Sequence, residues 1–200
     1  SSDLVSPFVC RPPIVHRSNK SSNMDVVESM FIQLYERVKF LESGDKIKFT
    51  NNERMLVKLS FNAWTGGDHS AKGFEMFLKM FQMHPETQKL FEFARGSSAA
   101  QLQNSSRMLF HVTRVIKNIG MCTQNLDSLE NVVPVFKELG GRHVQYGVPG
   151  NFFPYLGEAM RALMKAQLKN WTPAHEKLWT RVWECMSARL AEGEAEYGNK

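Results

Sequence analysis

Cysteine is scarce in this sequence, with three residues among 200. Cys10, Cys122 and Cys185 stand alone, so they form neither a metal-type pair nor a disulfide framework. We therefore expect a reducing, cytoplasmic setting, where structural disulfides are rare. Cys122 and Cys185 fall on predicted helices, and we expect both thiols to be buried and inert.

Long apolar runs are also missing, because none approaches the roughly 18 residues that a membrane-spanning helix requires. We therefore expect no membrane span. The first residues show no basic segment followed by an apolar one, so we expect no signal peptide. The sequence does not begin with methionine, which suggests a piece of a longer chain.

A dense basic segment is absent, although the net charge is +5 and the isoelectric point is about 9.2. The basic residues are scattered among 20 acidic ones, a distribution that argues against nucleic-acid binding. No serine–histidine–acid or paired-carboxylate arrangement stands out either. We expect no enzymatic activity beyond a minor redox reaction.

Alternating strand patterns are not found, whereas apolar residues recur at helical spacing along most of the chain. These two features predict an all-α fold. We divide the chain into a flexible tail at 1–23, an N-terminal extension helix at 24–45 and a main domain at 46–200. The apolar stripe of the extension covers 24–43, and it must pack on the main domain or on a second copy in a homodimer.

The main domain is predicted to begin at a capping box, Thr50 followed by Glu53. Further helices follow, and the last one is predicted over 173–191. A helix that includes Leu139 is predicted to end at Gly140 and Gly141, since glycine is a common helix terminator. The tryptophans that we expect in the core are Trp171, Trp179 and Trp183, and the histidines that we expect in solvent are His16, His69, His84 and His175.

Two other histidines fall in apolar surroundings. His143 follows the double glycine, and the helix dipole alone would favour a histidine there. His111, however, lies on the inner side of its own helix, one turn before Val115. A buried imidazole without a partner costs roughly 1–3 kcal/mol. Two such histidines on separate helices could share one metal ion, and iron accepts neutral imidazole well.

The segments "HPETQKLF" and "GGRHVQYGVPGNFF" resemble the globin family. Pro85 followed six residues later by Phe91 is similar to the globin pattern in which that phenylalanine stacks on the haem. His143 falls at the residue that binds haem iron from the proximal side, and Phe153 falls at the haem edge. The resemblance is greatest to the neuroglobin group and covers 50–191. It implies an invertebrate, nematode-type globin domain with an N-terminal extension that binds haem b, iron protoporphyrin IX.

The resemblance also implies the distal residue. The 32-residue separation between His111 and His143 matches the neuroglobin layout and makes His111 the distal ligand. A competing register places Met108 there instead. The remaining cofactor contacts implied by the resemblance are Phe77, Phe91, Arg114, Val115, Phe136, Leu139, Val148 and Phe153, with Arg114 toward a haem propionate. Arg142 could reach a propionate or face water.

These residues predict a six-coordinate, bis-histidyl globin in electron transfer or in redox or gas sensing. Phe77 supports this prediction, because it stands where oxygen-avid nematode globins have a tyrosine and it cannot donate a hydrogen bond to oxygen. The expected partners are haem, a diatomic gas (O2, CO or NO) and a redox partner protein. Two alternatives remain: a five-coordinate oxygen carrier or scavenger with Met108 distal, and a haem-free adaptor.

Overall fold

The computed structural model describes residues 48–198, and all regular structure in that range is helical. The predicted all-α fold class is therefore confirmed for the described residues. The predicted tail at 1–23 and the extension helix at 24–45 lie outside them. The α-helices are α1 (Asn51–Thr65), α2 (His69–Met83), α3 (Ala99–Gln103), α4 (Ser106–Gln124), α5 (Val133–Gln145), α6 (Phe153–Gln167) and α7 (Pro173–Gly198). Short 3-10 segments cover Pro85–Leu90, Glu92–Ala94, Leu129–Asn131 and Gly150–Phe152.

The first helix begins and ends as its sequence predicts. The Glu53 backbone N–H donates to the Thr50 hydroxyl, and the Glu53 carboxylate accepts from the Thr50 N–H at 2.8 Å. This reciprocal pair is the predicted capping box, and it satisfies two donors that would otherwise lack partners. Gly66 ends α1 with a φ of 55°, a left-handed conformation that glycine adopts without steric cost.

The core forms where α2 packs between α4 and α6, and where α7 packs against α5, α6 and α1. Trp179 is fully buried on α7, and its indole N–H donates to the Ser60 hydroxyl of α1 at 3.0 Å. Trp183 is also buried, whereas Trp171 is partly buried at the edge of the core. Cys122 and Cys185 are buried thiols, as predicted.

The predicted helix end at Gly140 and Gly141 is wrong, because α5 continues through both glycines to Gln145. The two glycines lie instead where α5 crosses α7. A Cβ atom on Gly140 would fall 1.9 Å from the Leu190 carbonyl oxygen, and one on Gly193 would fall 1.8 Å from the Lys137 carbonyl oxygen. The missing side chains therefore allow two helix backbones to touch, and His143 lies within the last turn of α5 rather than beyond it.

The last helix is also longer than predicted, since it extends to Gly198 rather than to residue 191. None of the helices within residues 48–198 combines the length and the apolar character needed to cross a bilayer.

Candidate functional site

His143 is held in place by its own helix. Its Nδ1 lies 2.7 Å from the Leu139 carbonyl oxygen, one turn earlier on α5. A carbonyl oxygen only accepts hydrogen bonds, so Nδ1 carries the proton of the neutral ring and Nε2 keeps a free lone pair. The Phe153 ring meets the imidazole edge to face, with the ring centres 5.1 Å apart. The Val148 N–H donates to the His143 carbonyl at 3.0 Å and closes the end of the helix.

His111 projects from α4 into a group of aromatic rings. Phe77 of α2 lies nearest, with ring centres 5.3 Å apart and planes at 87°. Phe91 immediately precedes the 3-10 segment Glu92–Ala94, and Phe93 lies within it. Their ring centres are 5.5 and 6.3 Å from the centre of the His111 ring. Within residues 48–198 His111 makes no hydrogen bond. Among the described residues its ring is thus placed by packing, and neither ring nitrogen has a hydrogen-bond partner there.

Burial keeps both imidazoles neutral. It lowers the pKa of His111 to about 4, and the charges of His143 and Arg114 act in the same direction. Burial also lowers the pKa of His143, although the hydrogen bond to Leu139 and the charge of Glu194 oppose that change. A protonated His143 would lower the pKa of His111 further, so the two side chains lie close enough to influence each other although they lie on separate helices. We call His111 and His143 the histidine pair.

The other predicted site residues differ in whether they contact the histidine pair. Those in contact with the histidine pair are Phe77, Phe91, Leu139, Val148 and Phe153. Met108 is fully buried and Phe136 is buried, and neither shares a ring or hydrogen-bond contact with the pair in the described part of the chain. Val115 is partly buried and packs against the core.

Arg114, predicted to lie toward a haem propionate, and Arg142, for which a propionate contact and solvent were both left open, lie at the surface. Arg114 is exposed, and its guanidinium lies 5.4 Å from the centre of the Phe110 ring, which is 65% exposed. Arg142 pairs with Glu138, one turn earlier on α5. Arg114 is therefore held by a ring one turn before it, whereas the charge of Arg142 is already compensated.

The prediction that His84 faces solvent is wrong. His84 stacks on Tyr155 at 3.9 Å and its Nε2 lies 2.9 Å from the Glu158 carboxylate. His175 stacks on Trp171 at 5.3 Å. The prediction for His84 considered only neighbours in sequence, whereas Tyr155 and Glu158 come from a different helix, α6. His69 is half-buried, and His16 lies outside the described residues.

Sequence reasoning missed two residues of the site. Phe93 joins the ring group at His111, and its position two residues after Phe91 was a usable signal. Phe91 has extended backbone angles, φ −102° and ψ 107°, and side chains two residues apart along extended chain tend to share a face. Glu194 acts on His143 from α7, and no local pattern marks that contact.

An all-helical fold with two largely buried histidines on separate helices is compatible with a globin. The family model described as Globin matches residues 74–190, more than half of the chain. The chain therefore belongs to the globin family.

Individual relatives support the same family. Neuroglobin-1 of Oncorhynchus mykiss is 26% identical over 153 residues, covering 76% of this chain and 96% of the relative. The globin polymeric component P3 of Glycera dibranchiata is 26% identical over 146 residues, covering 72% and 96%. Among solved structures, a hexacoordinated heme protein from an anhydrobiotic tardigrade at pH 4 shares the fold. Its TM-score is 0.67 at 19% identity, over 74% of this chain and 96% of that chain.

Proposed function

We propose that the protein binds haem b between His143, the proximal ligand, and His111, the distal ligand. The observation that carries this proposal is the placement of two largely buried imidazoles on separate helices, one with Nδ1 held by the Leu139 carbonyl and both packed against aromatic rings. Haem would supply an iron centre for one-electron exchange and for binding of a diatomic gas. The chain itself must hold the iron on one side and control access on the other.

The residues present fit a flat macrocycle. Phe77, Phe91 and Phe93 surround His111, and Phe153 lies against His143, so apolar ring surface is available on both sides. Within residues 48–198 no group of three histidine, cysteine, aspartate or glutamate side chains could hold a bare metal ion. A porphyrin needs fewer protein ligands, because it supplies its own equatorial nitrogens. The isolated cysteines match no covalent haem-attachment motif, which favours haem b.

His143 is prepared for the proximal role. The Leu139 carbonyl fixes the tautomer and the ring orientation, and it leaves the Nε2 lone pair for the metal. This hydrogen bond also increases the basicity of the ligand. Replacing His143 would remove the side chain that the Leu139 carbonyl orients, and with it the proposed proximal ligand.

His111 is suited to a distal ligand that can be displaced. It has no hydrogen bond within the described residues, so its departure from iron would break the iron–nitrogen bond and packing contacts but no hydrogen bond to those residues. If the open form is populated at roughly 1%, the apparent affinity for an external gas falls about a hundredfold. Phe77 lies nearest to His111 and cannot donate a hydrogen bond to bound gas. These features favour electron transfer or redox or gas sensing over oxygen storage.

Two further observations support His111 over Met108 as the distal residue. The Met108 side chain is completely buried in the core, where it would have to leave its packing to reach a ligand site. Among the proteins that resemble this chain, the tardigrade protein is described as hexacoordinated. The five-coordinate alternative with Met108 distal gains no comparable support.

The absorption spectrum of the reduced, haem-loaded protein tests this proposal. We expect sharp, split visible bands, and we expect them to change only slowly when carbon monoxide is added. In His111→Ala the same bands should broaden, and carbon monoxide should bind at once. A single broad band in the unmodified protein, shifted immediately by carbon monoxide, would refute closed coordination.

A further inference from the structure

The last helix holds the segment that connects the proximal histidine to Phe153. The Gly150 N–H donates to Oε1 of Glu194 at 3.1 Å, across 44 residues of sequence. The Trp183 indole N–H donates to the Phe153 carbonyl oxygen at 3.0 Å. These two hydrogen bonds join α7 to residues 150–153, a stretch that begins seven residues after His143. The position of the Phe153 ring against His143 therefore depends on α7.

Glycine at position 150 is required by this contact. A Cβ atom there would lie 2.0 Å from Oε2 of Glu194, so any larger residue would displace the carboxylate. The same helix approaches α5 through Gly193, the residue immediately before Glu194, at the Lys137 carbonyl. Because α7 crosses α5 so closely, the Glu194 carboxylate lies next to the Gly150 backbone.

Glu194 differs from its acidic neighbours on α7 in its ion pairing. Glu192 and Glu196 both pair with Lys137, at 3.3 and 2.6 Å. Glu194 forms no ion pair with any residue in the range 48–198. Its charge raises the pKa of His143, in opposition to burial. An uncompensated negative charge therefore acts on the proximal side of the site.

We propose that Glu194 is a positioning and tuning residue for the proximal ligand. Its carboxylate fixes the turn at Gly150 between His143 and Phe153. Its negative charge favours the oxidised, more positive iron of a haem held by His143, because opposite charges attract more strongly in a partly buried site. Groups beyond the direct ligands are known to tune metal centres in this way. This inference rests on the proposed haem function.

Two variants separate the charge from the hydrogen bond. Glu194→Gln removes the charge and keeps an oxygen that can accept from the Gly150 N–H, whereas Glu194→Ala removes both. Glu196→Gln is the matched control, because it removes one negative charge from the same helix at a side chain that is already paired. The measurements are the reduction potential of the haem-loaded proteins and the hydrogen-exchange rate of the Gly150 amide.

We expect the reduction potential to rise in Glu194→Gln and Glu194→Ala and to stay near the parent value in Glu196→Gln. The Gly150 amide should exchange about tenfold faster in Glu194→Ala, the effect of losing one hydrogen bond, and should change little in Glu194→Gln. A Glu194→Gln potential no higher than that of Glu196→Gln would overturn the charge effect. An unchanged Gly150 amide in Glu194→Ala would overturn the positioning effect.

The two proposals fail in different ways. If the unmodified protein takes up no haem, the proposed function is wrong and the charge effect falls with it, while the Gly150 amide still decides the positioning effect. If haem binds with the expected spectrum and the variants do not differ, only the role of Glu194 is wrong.

Discussion

At the scale of single residues, the site depends on keeping two imidazoles uncharged. A protonated imidazole has no lone pair for a metal, so a lowered pKa favours the state that can bind. His111 achieves this through burial among phenylalanines, without a hydrogen bond in the described part of the chain. His143 achieves it through burial, with its tautomer set by Leu139. Burial therefore keeps both histidines neutral, and the Leu139 hydrogen bond additionally fixes the tautomer of His143.

The lowered pKa of His111 predicts how stability depends on pH in the haem-free protein. The unfolded chain binds a proton at His111 near pH 6.5, whereas the folded chain binds it only near pH 4. As the pH falls through that window, the free energy of unfolding should decrease, by about 3 kcal/mol in total from this residue. Above pH 6.5 the contribution is fully present. Urea denaturation at pH 4 and pH 7 measures the change.

His111→Leu keeps an apolar side chain of similar size among the rings and removes the titrating group. We expect this variant to lose much less stability between pH 7 and pH 4 than the unmodified protein. Equal losses in the two proteins would contradict the assigned burial of His111.

Sequence reasoning found the residues whose roles depend on spacing along the chain. Pro85, Phe91 and His143 belong to a pattern with fixed intervals, and the separation from His111 to His143 singled out a second helix. Glu194 and Tyr155 were not found, because their contacts with Gly150 and His84 join residues far apart in sequence. No local periodicity carries information about such contacts.

At the scale of helices, the crossing of α5 and α7 organises the proximal side. Glycine in the interior of a helix costs about 1 kcal/mol relative to alanine, so two in succession weaken α5 on its own. Packing compensates for this cost, since Gly140 lies against the Leu190 backbone and Gly141 against the Tyr197 ring. Propensity alone predicted a helix end at these glycines, and the tertiary contact with α7 explains why that prediction was wrong.

Gly140→Ala tests the crossing. The added methyl group would favour the isolated helix, yet it would lie 1.9 Å from a backbone oxygen that cannot rotate away. We expect the free energy of unfolding to fall by about 1–3 kcal/mol, as is usual for overpacked positions. Chemical denaturation of the variant and the parent protein measures this difference.

Gly120→Ala on α4 is a suitable comparison, because its added methyl group would meet a ring carbon of Phe61 at 3.1 Å rather than a backbone atom. We expect a smaller loss there, or none. A Gly140→Ala protein at least as stable as Gly120→Ala would mean that α5 and α7 do not cross as closely as described.

At the scale of the whole molecule, the helical architecture was predictable and its exact helix ends were not. Apolar spacing identified the helices of the main domain, and the capping box at Thr50 located the first one. The last helix continues past residue 191 because Gly193 and Glu194 pack against α5 and the Gly150 turn. Contacts between distant parts of the chain thus set the boundaries that a local pattern leaves open.

Haem addition should stabilise the whole domain. A ligand whose free concentration is a hundred times its dissociation constant adds about 2.7 kcal/mol to the free energy of unfolding. In a domain of this size, that corresponds to a rise in melting temperature of about 5–10 °C. Metal-free protoporphyrin gains only the apolar contacts, so its shift should be smaller. In His143→Ala only His111 is left to bind the iron, so haem should shift the melting temperature less than it does in the unmodified protein. A full haem shift in that variant would contradict ligation by His143.

The most direct test of two-histidine ligation is the electron paramagnetic resonance spectrum of the ferric, haem-loaded protein beside that of His111→Leu. Two strong nitrogen ligands from His143 and His111 predict a purely low-spin signal in the parent protein and a high-spin signal in the variant. A high-spin parent protein, or identical spectra in the two proteins, would contradict the account.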